Sequence, residues 1–133
     1  MLAFQHLPID VANFYDAQIG TSVFGSMFNC ITLEPYPAYY AFRAFGELYA
    51  RGCEVECAYD GEGVYAVASK RDNDGCIVIT NTSGDDIPLS LDTQWQIHKV
   101  LVTSDGKNEV EYENASRLEK NSITVIYARE NGI

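Results

Sequence analysis

Asp16 is the carboxylate whose setting differs from the rest. The run "VANFYDAQ", Val11 to Gln18, reads as a buried strand whose apolar character stops at Asp16, as if it ran into a polar rim. Tyr15 stands beside it. A phenol and a carboxylate at a strand end can hold a hydroxyl-bearing ligand, or they can tie the strand to its own loop. Most of the other acidic residues, out of nineteen in the chain, gather in turns such as Asp72/Asp74 and Asp85/Asp86, where they read as solvated turn formers. "DNDG" at 72–75 has the opening of a calcium loop, but Ser83 stands where the bidentate Glu belongs, so a hairpin turn is expected. His98 lies in a strand pattern with no Ser or Cys motif to partner it, which leaves a nucleophile triad unsupported. Trp95 begins a strand and is read as sandwich core rather than as an exposed stacking platform.

Cys30, Cys53, Cys57 and Cys76 form no CxxC pair. Cys53 and Cys57 share a face of one predicted strand but lie about 13 Å apart along it, beyond the reach of a disulfide. The four are read as free, buried thiols. With two histidines, both remote in sequence, zinc ligation is not expected, and no other metal, cofactor or catalytic residue is assigned.

The elements that would position these groups fit in 133 residues, enough for one ordinary domain or a small domain plus part of another. An apolar share of 47% against 21% charged residues is that of a folded protein. The net charge of −10 opposes phosphate backbones and anionic membranes, so neither nucleic acid nor membrane is an expected partner. A neutral partner such as a sugar is compatible with it. "MLAFQHLPIDVANF" lacks the basic and apolar regions of a signal peptide, which gives a cytoplasmic expectation. Residues 2–9 read like the end of a helix and the turn after it.

The grammar changes at Gly52. Before it, "YPAYYAFRAFGELYARG" predicts a helix opened by Pro37 and closed by Gly52 in a left-handed cap. Ala38, Phe42, Phe45 and Tyr49 form one stripe, and Tyr39, Tyr40 and Leu48 widen it, so the helix should lie between layers. "IGTSVFGSMFN", 19–29, reads as a structured loop. After Gly52 the sequence alternates with period two in segments 53–59, 63–71, 75–83, 87–91, 95–103 and 122–130, with 108–120 a less defined return. Turn chemistry about every ten residues predicts an antiparallel, Greek-key-like β-sandwich.

"FYDAQ", "SVFGSMFN" and "PYPAYYAFRAFGELYARG" together resemble the end of a (β/α)₈ barrel in retaining glycoside hydrolases of the β-xylosidase and arabinofuranosidase type. The resemblance covers roughly residues 9 to 52, with Gly25-Ser26-Met27-Phe28 matching a "GLF"-like segment. It implies a mainly β chain in which 1–52 is the last strand, loop and helix of a barrel and 53–133 an accessory sandwich. One face of the helix would cover the barrel and another the sandwich. It also implies that Tyr15 and Asp16 lie near a substrate pocket in a complete barrel, Tyr15 stacking on or hydrogen-bonding a sugar. Retaining chemistry needs two carboxylates about 5–5.5 Å apart, and the family's pair belongs to earlier barrel strands. No residue in this chain matches those positions.

Three readings follow. The chain is a catalytically silent C-terminal portion of a glycoside hydrolase, or a stand-alone carbohydrate-binding module, or an interaction protein. An orphaned helix face would leave an apolar patch, so a barrel or a second copy of the chain is the expected partner, with a homo-oligomer in its absence. Tyr59, Tyr65, Trp95, Tyr112 and Tyr127 fall on different strands, and the sequence leaves open whether any share a face.

Overall fold

A computed structural model describes residues 1–17 and 25–131. Gln18 and the first six residues of the expected loop, 19–24, lie outside the described residues. The turn-punctuated half forms eight strands: β1 (Cys53–Val55), β2 (Val64–Arg71), β3 (Asp74–Asn81), β4 (Ile87–Pro88), β5 (Gln96–Ser104), β6 (Lys107–Tyr112), β7 (Arg117–Leu118) and β8 (Ser122–Arg129). The expected strand 53–59 stops at Val55, and the return segment 108–120 resolves into β6 and β7. "DNDG" is the expected hairpin: Asp72 adopts φ 52° in the turn joining β2 to β3, and Arg71 pairs with Asp74.

Six strands make one antiparallel sheet in the order β1-β2-β3-β8-β5-β6, with the closing strand inserted between β3 and β5. β4 and β7 pair separately and cover part of its second face. The sandwich is therefore lopsided. Because both faces of the large sheet are covered, β2, β3 and β8 are buried along much of their length instead of alternating cleanly. Alternate residues divide between two cores: Val67, Cys76, Val78 and Val125 face one way, and Val64, Ala66, Ile79 and Ile126 the other.

The predicted helix, α1 (Pro37–Arg51), lies on the first face, opened by Pro37 and closed by Gly52 at φ 75°. Its buried positions are Ala44 and Leu48, with Phe45 partly buried beside them. This corrects the expected stripe. Phe42 and Tyr49 turn away from the sheet, and Tyr49 is 82% exposed. The physical reason is size, since the small Ala44 lets the helix backbone approach the sheet where a larger aromatic would hold it off. Arg51 anchors the helix end, its Nη2 lying 2.8 Å from the Asp74 carboxylate and its guanidinium resting over the Tyr127 ring. At the middle of the helix Arg43 reaches Glu109 of β6 at 3.1 Å.

The remnant expected at residues 2–9 is a short 3₁₀ helix, Leu2–His6, which inserts Leu2 into the core beneath α1. The strand expected at Val11 to Gln18 is not found among the described residues, and 11–15 are exposed. A strand needs a ladder of backbone hydrogen bonds to a neighbour, and neither sheet of the described residues includes this segment. Phe14 packs on Phe42 of α1, with ring centroids 5.3 Å apart. Among the described residues no helix is long and apolar enough to cross a membrane.

Asn81 ties the end of β3 to the second layer. It is 1% exposed, donates to the carbonyls of Asp85, Leu118 and Glu119, and accepts from the Ser83 N–H and hydroxyl. Its burial also removes the "NTS" sequon at 81–83 from any glycan.

Candidate functional site

The lopsided second layer leaves a groove. Over β2 and β3 the second layer consists of the β4–β7 pair flanked by the irregular segments 56–60 and 89–95. Between them runs a cleft of about 690 Å³. Its floor is Ala66 and Ala68 of β2 with Ile77 and Ile79 of β3, and the small alanines make it deep on one side. Tyr59 and Trp95 stand on its walls. The volume falls in the range of small-molecule clefts, about 300–1,000 Å³.

Trp95 owes its position to Gly75. A Cβ at residue 75 would stand 2.8 Å from Cζ3 of the indole, so the ring lies directly on the strand where the side chain is missing. The expectation of a core tryptophan is thus half met: the ring is held by the sheet yet remains half-buried at the groove wall. Lys70, the cross-strand partner of Gly75, brings its ammonium 5.8 Å from the ring centroid. The Trp95 backbone N–H donates to Thr93 Oγ1 at 3.1 Å, which fixes the approach to β5.

Glu56, Asp60 and Asp92 contribute carboxylates to the groove, against the single cation of Lys70. Ser90 and Thr93 add hydroxyls. Cys57 also lines it, and burial pushes its thiol up from the ordinary cysteine range. Such a thiol is a poor nucleophile at neutral pH. The arrangement suits binding: an apolar floor, two aromatic walls and a polar rim.

Of the five dispersed aromatics, the fold brings Tyr59 and Trp95 to this groove. Tyr65 and Tyr127 point to the helix side of the sheet, and Tyr112 lies on β6 beside Lys107. The sequence held a usable signal in Gly75, an isolated glycine opening a strand, which often marks the close approach of another group.

The two residues singled out in sequence lie elsewhere. Tyr15 is 68% exposed and Asp16 is half-buried, both on the segment that crosses α1, with a cis peptide between them. They do not join the groove, which is on the opposite face of the sheet. His98 is exposed at an irregularity in β5, near Tyr127. The thiols are all free, but Cys30 and Cys53 are exposed, contrary to the expectation of four buried cysteines. Cys53 lies on the short edge strand and Cys30 in the loop before α1, where no layer covers them. Cys76 is buried under α1, and burial pushes its thiol up to about 12. Among the described residues no group of three His, Cys, Asp or Glu is gathered as a metal site.

Comparison with solved structures places this architecture. The chain superposes on a GH30 endoxylanase from Clostridium papyrosolvens with a TM-score of 0.63 at 20% sequence identity. The fold is one found in a glycoside hydrolase. The match covers 77% of this chain and 30% of the endoxylanase, so the chain spans under a third of that protein's length. No protein-family model matches the sequence, and no curated protein does either.

Proposed function

We propose that this chain is the non-catalytic C-terminal portion of a glycoside hydrolase acting on plant-type polysaccharides or oligosaccharides of the xyloside or arabinoside class. Its sandwich supports a barrel that docks on α1. The observation that carries this reading is the two-sidedness of the helix. Ala44 and Leu48 are buried on the sheet, while Phe42 and Tyr49 on the other side are exposed. Val11, Tyr15 and Tyr36 extend the exposed surface, as do Ile31 and Leu33 at the tip of the preceding loop. Large exposed apolar patches mark interaction sites. The reading is also supported by the likeness of the fold to part of an endoxylanase.

Within such an assembly Tyr15 and Asp16 belong to the barrel's substrate side, and neither works alone. The purified chain should therefore release no chromophore from aryl xylosides or arabinosides. Turnover that disappears in Asp16→Asn would overturn the reading. Without the barrel, the same face should join two copies of the chain. Sedimentation velocity over a concentration series should show self-association that Tyr49→Ser weakens, and a monomer at every concentration counts against an unfilled docking face. A second reading, a glycan-binding module, is favoured by the convergence of Tyr59 and Trp95 in the groove.

A further inference from the structure

We propose that the groove between Tyr59 and Trp95 binds a neutral oligosaccharide built of flat, equatorially substituted rings. The inference rests on the glycan-binding reading and is independent of the accessory-portion reading, because the groove and the docking face of α1 lie on opposite sides of the large sheet.

Such a ring presents two chemistries at once. Its C–H faces are apolar and carry slight positive charge, which the negative faces of Tyr and Trp attract. Its edge carries hydroxyls, which need hydrogen-bond acceptors. The groove offers both in that order: Ala66, Ala68 and Ile77 below, aromatic rings at the sides, and Asp60, Asp92 and Ser90 along the rim. Carboxylates accept hydroxyl hydrogen bonds strongly.

Other occupants fit less well. An anionic ligand would meet three carboxylates and one ammonium on a chain of net charge −10. An extended peptide gains its affinity from an unpaired strand edge, whereas the groove floor is the face of β2 and β3, whose backbone groups are already paired with each other. A purely apolar ligand would make no use of the polar rim.

Trp95 is the sole tryptophan of the chain, so its emission reports on this groove alone. The test is a fluorescence titration of the full chain with cellohexaose and xylohexaose, both neutral and β-1,4-linked. A saturable change is expected, with a dissociation constant on the order of 0.1–1 mM. Tyr59→Ala removes one wall at a position 43% exposed, so the fold should survive, and affinity should fall about fivefold or more. Gly75→Ala removes no lining side chain but displaces the indole, and it should weaken binding comparably. Should that variant fail to fold, Tyr59→Ala carries the test alone. Emission unchanged to about 10 mM sugar refutes the proposal. So does calorimetric binding that leaves Trp95 emission constant, or binding indifferent to Tyr59→Ala. None of these outcomes bears on the docking face, which the sedimentation experiment tests separately.

Discussion

Leu48 and Tyr49 are neighbours in sequence and opposites in energy, and truncating each to alanine measures which side of α1 holds the fold together. Leu48 is 6% exposed in a cluster with Leu2, Ala44, Val67, Val78 and Val125. Removing a buried leucine costs its transfer free energy plus the cavity left behind, between about 2 and 5 kcal/mol. The site sits between a helix pinned by Arg51 at its end and a six-stranded sheet, so little collapse into the cavity is available. Leu48→Ala should therefore cost about 3 kcal/mol, in the middle of that range. For a chain of this size that lowers Tm by about 10 °C. Tyr49 is 82% exposed, and alanine is the better helix former, so Tyr49→Ala should change stability by no more than about 0.5 kcal/mol. Urea unfolding followed by far-UV circular dichroism, at concentrations low enough to hold the chain monomeric, reads both. A Tyr49→Ala variant as destabilised as Leu48→Ala would mean that the aromatic stripe is the packed side, and the two-sided helix would be wrong.

Two other groups give measurable signatures. Glu119 receives hydrogen bonds of 2.7 Å from Lys107 Nζ and from Ser104 Oγ, and these hold its carboxyl below its ordinary value of 4.5. A depressed folded-state value stabilises above the unfolded one and loses that stabilisation as pH falls through it. The Tm advantage of wild type over Glu119→Gln should thus be constant near neutrality and shrink below about pH 4.5, and an advantage unchanged in acid would refute it. In thiol titration with a disulfide reagent at mild alkaline pH, Cys30 and Cys53 should react fast, Cys57 slowly, and Cys76 only after unfolding, because its thiol is both covered and pushed up to about 12. Rapid modification of Cys76 in the native chain would contradict its place beneath α1.

Much of the architecture was readable because it depends on local chemistry. Pro37 and Gly52 bound α1 through backbone geometry that needs no distant partner. "DNDG" closes the hairpin of β2 and β3, and Asp105-Gly106 that of β5 and β6, with residues suited to tight turns. Period-two alternation located β2, β3, β5 and β8 within a residue or two. Less was readable of the candidate site. Trp95 was placed near the core, but neither its seat on Gly75 nor its meeting with Tyr59 follows from spacing, because segments 55–60 and 87–95 approach one another only through the sheet's pairing. Over Val11 to Ala17 the strand expectation failed for a related reason: an apolar run has the makings of a strand, but the hydrogen-bonding neighbour comes from elsewhere.

The amino-acid order alone set where elements start and stop, since turns, caps and alternation are short-range properties of the backbone and of adjacent side chains. It did not set which side of α1 meets the sheet, which aromatics share a wall, or which thiols are covered. Those depend on how β8 inserts between β3 and β5 and how thinly β4 and β7 cover the second face. They are decided by packing between residues far apart in the chain, where size and strand register outweigh apolarity.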